Sequence, residues 1–494
     1  MNANCYNPRR SKKLTPLQNN IHPAYKKGKI VHTNIPFTKF KMARGLIVTT
    51  LVFTALQIAE IANATLPTFS ETHRYEDPAT VSISGFGNDL DSDGKYLVIA
   101  MSGSQGRVGL KRGVFVYDAQ SRELLRTLTV PDQVGNEIFN FASSVAIYGK
   151  LAVVGASYEH VQSQFGTSYQ AGAAYLFNLE TGALLHRLVA NEPFGNIFLG
   201  SSVAIHENTV AVGGWGEAYL FDASTGQQLA KLNPSSHTQL FGVSVALNDE
   251  VVLVGSSSDG SRGEQTGATF VFDLATQAEL RKIVPDDALG ETQSAAGDNF
   301  GAAVALEGNH AIIGSLLHSP LTGNAGAAYI FDVNTGAELG KLIHPVPGIT
   351  YPNSFGYRVD IQGDYALIGA VGDQRRDDAG SAFLFDWKNQ KLIAELVPTD
   401  VGPQYRLGSA VAFGGARAYV AAPGRPVTGG AYEFALVPEP AGSSLALVGG
   451  GTLAITARRR GTKQQTAPGV RPLRRPNHPG SNILRKRMFV SVAG

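Results

Sequence analysis

The chain has 494 residues and a formal net charge of +2, but its charges are unevenly distributed. Ten of the 42 Lys and Arg residues lie at or before Arg44 and ten at or after Arg458, which leaves 22 basic against 39 acidic residues between positions 65 and 457. This acidic region has no cysteine, since the only one is Cys5, so a disulfide-stapled domain is excluded. Nucleic acid is not expected as a partner, because both basic tails flank segments with the pattern of export or sorting signals.

The first recognisable element is an export signal at residues 42–64. A short basic start precedes an apolar run, and Ala62 and Ala64 supply the small-x-small pattern of a signal-peptidase site. Residues 1–41 form a basic extension that is too long for a usual signal n-region, which favours translation beginning with the signal itself. An uncleaved membrane anchor over residues 45–59 is the alternative.

A repeated pair of residues then organises the chain. An aromatic residue or Leu, followed by a small residue, recurs at intervals of 42 to 59 residues, which is typical of propeller blades. Units of this size cannot bury their apolar faces alone and must stack. The seven copies begin at Phe86, Phe141, Leu199, Phe241, Phe300, Phe355 and Leu407.

Each unit contains the patterns of four short strands. An alternating first strand, as at residues 202–205, precedes a β-branched second strand, as at 251–255. A third strand with alternating aromatics, as at 328–332, ends in a turn and is followed by a fourth, as at 338–342. These patterns predict an all-β, seven-bladed β-propeller of four-stranded antiparallel blades over residues 65–436. A β-solenoid is the alternative.

The seventh unit is incomplete, which predicts how the ring closes. It ends near Phe434 without a fourth strand, while an unassigned apolar stretch at residues 79–84 precedes the first unit. We therefore expect an N-terminal strand to complete the last blade, with residues 81–83 pairing near residues 432–434. Such closure removes two exposed sheet edges.

The repeats resemble the FG-GAP family, whose units form the propeller of integrin α chains and of many bacterial surface proteins. The resemblance is clearest at residues 298–301, which read Asp-Asn-Phe-Gly. It implies calcium as a cofactor, because family members bind calcium through a D-x-D-x-D-G loop and Asp89, Asp91 and Asp93 match that string. The alternative is a solvated strand end followed by an Asp-Gly turn, since Asp89 and Asp91 align with first-strand positions of other units.

The C-terminal segment at residues 437–460 resembles a PEP-CTERM sorting segment. It consists of Pro-Glu-Pro, an apolar run at 441–457 and an arginine cluster, and is followed by a predicted disordered basic tail at 461–494. The motif residues are Pro438, Glu439, Pro440, Arg458, Arg459 and Arg460. The resemblance implies processing by an exosortase-type enzyme, transient membrane anchoring, and delivery to the cell surface or matrix of a Gram-negative-type bacterium.

Loop lengths single out one face of the predicted ring. The loops between second and third strands and the links between blades are long and varied, while the other turns are short. Aromatic and basic residues in these loops predict a recognition surface. The candidate residues are Tyr158, Tyr169, Arg262, His318, Tyr351, Arg375 and Arg376. The alternative is that the loops vary without a function.

No catalytic motif was found in the sequence. It lacks a Gly-x-Ser-x-Gly elbow and a His-Glu-x-x-His zinc motif, and its loop histidines, His160, His318 and His344, are expected to be exposed. We therefore expect a secreted, non-enzymatic binding, adhesion or matrix protein, with extracellular polysaccharide or surface proteins as partners. An extracellular polysaccharide lyase or glycosidase is the alternative.

Overall fold

The structure is a computed structural model, and the signal segment 42–64 and everything after residue 437 lie outside its described residues. It describes residues 68–78, 85–102, 112–130, 140–163, 166–236, 238, 240–260, 266–287, 298–318, 325–346, 353–425 and 429–437. The chain divides into two units after Pro438, and all described residues belong to the first. Within them, no helix is long and apolar enough to cross a lipid bilayer.

Seven four-stranded antiparallel sheets form the blades of a closed ring, which confirms the predicted propeller. Blade 1 contains β2 (Phe86–Ser92), β3 (Tyr96–Met101), β4 (Gly113–Asp118) and β5 (Leu124–Leu128). Blade 2 contains β6 (Phe141–Tyr148), β7 (Leu151–Ala156), β10 (Ala173–Asn178) and β11 (Leu184–Leu188), with the small hairpin β8 (Val161–Ser163) and β9 (Gly166–Ser168) in its loop. Blade 3 contains β12 (Ser202–His206), β13 (Thr209–Gly213), β14 (Ala218–Asp222) and β15 (Gln228–Leu232).

The remaining blades repeat this order from the channel outwards. Blade 4 contains β16 (Phe241–Leu247), β17 (Val251–Ser256), β18 (Ala268–Asp273) and β19 (Glu279–Ile283). Blade 5 contains β20 (Phe300–Glu307), β21 (His310–Ser315), β22 (Ala327–Asp332) and β23 (Glu338–Ile343). Blade 6 contains β24 (Phe355–Gln362), β25 (Tyr365–Ala370), β26 (Ser381–Asp386) and β27 (Lys391–Leu396), with a 3-10 helix at Gln374–Arg376. Blade 7 contains β28 (Val411–Gly414), β29 (Arg417–Ala421), β30 (Ala431–Val437) and β1 (Thr68–Tyr75).

The core lies between the blades and not within any one of them. Second strands such as β17 are buried at every position, because a neighbouring sheet covers each face. The described apolar residues form seven clusters, and each cluster joins two adjacent blades. The isolated repeat therefore has no core of its own, which is why the chain must close by stacking copies.

Close backbone contact between blades explains the repeated Phe-Gly pair. Phe300 is fully buried, and Gly301 has a φ of +86°, a left-handed conformation that suits glycine. A Cβ atom on Gly301 would lie 2.3 Å from the carbonyl oxygen of Ala268 in the preceding blade. A Cβ atom on Gly255 would in turn lie 2.0 Å from the carbonyl oxygen of Gly301. Both glycines are therefore required where adjacent blades cross.

The ring closes through a segment that precedes the first unit, but that segment is not the predicted one. Strand β1 pairs with β30, with His73 opposite Glu433 and Arg74 opposite Tyr432. The prediction that residues 81–83 pair there is wrong, and residues 79–84 lie outside the described residues. The outermost strand of a blade is exposed on one side, so β1 has a mixed polar pattern that a search for apolar runs passes over.

A buried carboxylate holds the closing strand in place. Glu433 has no exposed surface, and it accepts hydrogen bonds from Thr72 Oγ1 (2.8 Å) and Tyr75 Oη (3.0 Å) of β1. Arg122 of blade 1 donates to the same carboxylate over 2.9 Å, and Arg417 lies 3.3 Å away. Burial alone would raise the pKa of Glu433, but the hydrogen bonds from Arg122 and Thr72 hold it below its usual value. The ion pair between Glu433 and Arg122 thus connects blade 7 to blade 1.

Candidate functional site

The loops of the predicted recognition face are fixed to their blades by buried ion pairs. In blade 2, Arg187 on the outer strand lies opposite Tyr175 on the third strand. Its Nε donates to Glu159 Oε1 over 2.8 Å, and Tyr175 Oη donates to Glu159 Oε2 over 2.7 Å. Glu159 belongs to the loop after the second strand and is 2% exposed. We call this arrangement a loop anchor.

Loop anchors recur in other blades with the same register. Lys282 of blade 4 donates to Asp259 over 2.7 Å, and in blade 6 the signs are reversed, with Arg375 on the loop and Glu395 on the strand 2.6 Å apart. The pairs of third-strand ring and opposing outer-strand residue are Tyr175–Arg187, Tyr219–Lys231, Phe270–Lys282, Tyr329–Lys341, Phe383–Glu395 and Tyr432–Arg74. Because most blades share this pairing, the loop anchors have a structural role: they hold the loops against the blades.

His318, which was predicted on the binding face, belongs to the anchor of blade 5. It is 1% exposed, so the prediction that this histidine is exposed is wrong. The Lys341 ammonium lies 2.6 Å from Nε2, and Asp298 Oδ2 lies 3.5 Å from Nδ1. Because an ammonium can only donate, Nε2 accepts and Nδ1 carries the proton. His344 is also buried, against expectation, at 5% exposure.

Arg375 is likewise engaged in an anchor. Its guanidinium bonds Asp373 as well as Glu395. Burial alone would raise the pKa of Asp373, but the hydrogen bonds from His344 and Arg375 hold it far below its usual value. Of the other candidates, Arg376 closes the 3-10 helix, while Arg262 and Tyr351 lie outside the described residues.

The three aspartates of the D-x-D-x-D-G sequence in blade 1 lie in two different environments. Asp89 and Asp91 on β2 line the central channel, a cavity of about 260 Å³ between the inner strands. Their Oδ2 atoms accept backbone N–H groups of the next blade, from Val145 (2.9 Å) and Ile147 (2.8 Å). Asp93 lies beyond the strand, where its Oδ1 accepts from the backbone N–H of Tyr96 over 2.7 Å.

The three carboxylates of the calcium hypothesis do not share one loop. The period of two along β2 turns Asp89 and Asp91 toward the channel, whereas Asp93 caps the following turn. Within the described ranges, no group of three or more His, Cys, Asp or Glu side chains is placed to hold a metal ion. The alternative interpretation, a strand end followed by an Asp-Gly turn, describes Asp93 correctly.

A third channel carboxylate comes from blade 6. Asp360 Oδ2 accepts from the backbone N–H of Phe413 over 2.7 Å, as Asp91 does from the next blade. Burial raises the pKa of Asp91 to about 7 and that of Asp360 to about 6. Alanine occupies the same position in the other five blades, so these acids are not part of the general scaffold.

On the face that carries the long loops, several aromatic side chains lie between blades 2 and 3. We call Tyr158, Tyr169, Phe194, Phe198 and Trp215 the aromatic platform. Tyr158 and Phe198 have ring centroids 5.0 Å apart, and Phe198 and Trp215 have centroids 4.6 Å apart. Tyr169 is 65% exposed, Phe194 72% and Trp215 48%. Large apolar side chains this exposed mark a binding surface when they are grouped.

Backbone hydrogen bonds hold the platform loops together. The N–H of Asn196 donates to the carbonyl of Tyr169 over 2.9 Å, and that of Phe198 donates to the carbonyl of Gln170 over 3.1 Å. The N–H of Trp215 donates to the carbonyl of Ile197, which ties blade 3 to the same loop. The rings are therefore presented on a braced framework, which lowers the entropy lost on binding.

Phe198 occupies a position that suits other residues better. Its φ is +51°, and the same left-handed position holds Gly85, Asn140, Asn299, Ser354 and Arg406 in other blades. Glycine and asparagine tolerate this conformation, whereas a bulky L-residue is strained in it. Strain of this kind clusters at functional sites. The choice of phenylalanine is therefore not explained by the needs of the scaffold.

Sequence reasoning found Tyr158 and Tyr169 but missed Phe194, Phe198 and Trp215. Trp215 lies in a short Gly-Gly-Trp-Gly turn, so a search by loop length passes over it. The usable signal was composition, because Trp215 is one of only two tryptophans and is flanked by glycines.

Comparison with known proteins supports the repeat and no specific activity. Residues 278–331 and 352–385 match the family model described as FG-GAP repeat, which covers parts of blades 4, 5 and 6. No curated protein matches the chain in sequence. A chain of the solved structure titled "Crystal Structure of Mitotic Checkpoint Complex" is similar over 76% of this chain and 98% of its own length, with 14% identity and a TM-score of 0.48. A similarity this distant carries no argument about function.

Proposed function

We propose that this protein is a non-enzymatic binding or matrix protein of the cell surface that holds its partner on the aromatic platform. The observation that carries the proposal is the continuous ring contact from Tyr158 through Phe198 to the half-exposed Trp215. Keeping such rings in water is unfavourable, and burying them against a partner recovers that free energy. The anchored loops around them supply rigidity.

The chain termini support an extracellular location for this activity. The predicted signal at residues 42–64 leads to export, and the PEP-CTERM-like segment at 437–460 leads to sorting by an exosortase-type enzyme. The acidic propeller would then lie on the surface or in the matrix of a Gram-negative-type bacterium. Edman sequencing of the exported protein tests the first step, since a mature chain starting at Thr65 is expected and one starting at Met1 or Met42 contradicts it.

Retention on cell-surface material tests the binding role. Fluorescently labelled full-length protein is mixed with isolated envelope and matrix from the producing cells, with and without calcium, and the retained fraction is measured. We expect retention of the natural chain and a several-fold loss for Trp215→Ala. Equal retention of Trp215→Ala and the natural chain would contradict a role for the platform.

The channel acids are the observation that favours the second candidate, an extracellular polysaccharide lyase or glycosidase. Asp91 and Asp360 have raised pKa values, as catalytic acids often do. However, each carboxylate already accepts two backbone N–H groups, one from the next blade and one from the following residue. Cleavage of a polysaccharide by the natural chain, lost in Asp91→Asn or Asp360→Asn, would favour the enzyme.

A further inference from the structure

The chemistry around the aromatic platform identifies the kind of partner that fits it. The platform is built from residues 157–163, 166–172, 189–201 and 213–218, and none of these stretches contains Lys or Arg. Three acids lie there: Glu159, Glu192 and Glu217. Two of them are paired, Glu159 with Arg187 and Glu217 with Lys231 at 2.6 Å. The platform stretches thus supply no Lys or Arg to an anionic ligand such as a uronate or sulfated polymer, and the neighbouring Arg187 and Lys231 are already paired with Glu159 and Glu217.

The same composition argues against a protein partner. Binding hot spots between proteins are enriched in Trp, Tyr and Arg together, and here the arginine is missing from the platform stretches. Instead, the platform stretches carry uncharged amide side chains, with Asn191, Asn196 and Gln162 exposed and Gln170 half-buried. Amide groups donate and accept hydrogen bonds without charge, which matches the hydroxyl groups of a sugar.

The arrangement of the rings suits a chain-like ligand. Three rings follow one another from the blade 2 loop to the blade 3 turn, with centroid separations of 5.0 and 4.6 Å. The ring planes are inclined to each other by 62° and 54°, so the three rings form one bent apolar surface along which a chain can lie. The C–H groups on one side of a pyranose ring form an apolar face with a slight positive charge, which is attracted to the negative face of an aromatic ring.

We propose that the aromatic platform binds an extended neutral polysaccharide, with Trp215 and Phe198 as the central stacking residues. This inference rests on the proposed binding function and adds the class of ligand to it. Tyr169 and Phe194 extend the apolar surface, and the amides of Asn196 and Gln170 bond sugar hydroxyls. Glu192, exposed beside the rings, disfavours acidic polymers by repulsion.

Intrinsic fluorescence gives a direct test, because the chain has only two tryptophans. Trp387 is 5% exposed and donates its indole N–H to the carbonyl of Gly363 over 2.9 Å, so its emission reports folding. Trp215 is the exposed one, so its emission reports platform binding. The full-length protein is titrated with laminarin, dextran and galactomannan, which are soluble neutral glycans, and with alginate, a uronate polymer.

Three variants make the titration decisive, with affinity electrophoresis as the second measurement. Trp215→Ala removes the exposed ring, and Phe198→Asn removes the middle ring while placing a suitable residue at the left-handed position. Tyr365→Ala is the matched control, since Tyr365 is 46% exposed but begins β25 directly after the short turn of blade 6, on the other face. We expect about tenfold weaker binding for the first two variants and no change for the control.

The outcomes separate this inference from the proposed function. Binding of at least one neutral glycan, with a shift of Trp215 emission that Trp215→Ala abolishes, supports both. Binding of none of the three neutral glycans, tighter binding of alginate, or neutral-glycan binding that Trp215→Ala leaves unchanged overturns the inference. If Trp215→Ala still loses retention on cell-surface material in that case, the binding function stands and only the ligand class is wrong.

Discussion

The loop anchors and the aromatic platform both belong to the loops of one face, yet they are built in opposite ways. The anchors pair an outer-strand charge with a loop charge in several blades; the loop charge is buried in blades 2 and 4, and the signs are reversed in blade 6. The platform occurs between blades 2 and 3 and places its largest side chains in solvent. The anchors follow a rule of the repeat, and the platform departs from it.

This difference teaches how to read a repeat protein for function. A charged or aromatic residue in a loop is weak evidence of binding when the equivalent residue of another blade has the same partner. His318 and Arg375 resembled binding residues in the sequence, but in the structure both form part of loop anchors. Phe198 and Trp215 have no such equivalents, and Phe198 is placed where the backbone favours another residue.

The largest loss of stability is expected where the scaffold charge is most deeply buried. Replacing Glu433 with Ala leaves the Arg122 and Arg417 guanidinium groups without their shared carboxylate, which should cost about 3–5 kcal/mol of unfolding free energy. Urea denaturation measures it. Because the pKa of Glu433 is lowered on folding, its contribution is present above its unfolded pKa and is lost as the pH falls through the folded value. The Glu433→Gln variant should lack this acid-dependent part.

The blade 2 anchor tests whether scaffold and platform can be separated. Glu159→Ala should lower the unfolding free energy by about 2–3 kcal/mol, since it removes the partner of Arg187 and Tyr175. The double change Glu159→Leu with Arg187→Met should recover part of that loss, because an apolar pair needs no charge compensation while the Tyr175 hydroxyl still loses its acceptor. Glycan affinity that falls in the single variant and returns in the double one would show that the anchor acts only by positioning the loop.

Asp91 and Asp360 share features with both the anchors and the platform. They occur in two blades only, as a functional group would, but each accepts backbone N–H groups, as a structural group does. The folded pKa of Asp91 is raised to about 7, so its contribution to stability is complete below its unfolded pKa and is lost as the pH rises toward 7. The unfolding free energy of Asp91→Asn should therefore rise by roughly 2 kcal/mol relative to that of the natural chain between pH 4 and pH 8. The variant starts lower at pH 4, because its amide oxygen can accept only one of the two backbone N–H groups. Thermal or urea melts across this range would show the difference change with pH. A constant difference at all pH values contradicts the raised pKa.

The smallest effect on stability is expected at Phe198. Because asparagine suits a φ of +51° better than phenylalanine does, Phe198→Asn should leave stability unchanged or raise it by about 0.5–1 kcal/mol. Differential scanning calorimetry measures this shift. A loss of more than about 1 kcal/mol would show that the ring is needed for the scaffold, and the contrast between platform and anchors would then fail.

Much of the fold was predictable from the sequence because the blades share one pattern. The Phe-Gly pairs and the aromatic third strands are dictated by contacts that every blade makes, such as Gly301 against Ala268. The closing strand was placed in the wrong segment because β1 is an outer strand with solvent on one side. Its polar pattern differs from that of the buried strands that define the repeat.

The candidate site was less predictable than the fold because its contacts join residues that are distant in the sequence. His318 is buried by Lys341 and Asp298, which are distant in the chain and meet only when the blade forms. Tyr158 and Tyr169 were found since long loops point to them. Trp215 and Phe198 were missed, because their importance comes from ring contact across a blade boundary.

The measurement that tests the central claim most directly is neutral-glycan affinity of Trp215→Ala against that of Tyr365→Ala, with unfolding free energies taken on the same samples. The two side chains are 48% and 46% exposed, so loss of generic apolar surface is matched. We expect both variants to stay within about 0.5 kcal/mol of the natural chain in stability. Affinity should fall about tenfold for Trp215→Ala alone. Equal affinities, or a fall that follows lost stability, would contradict the account.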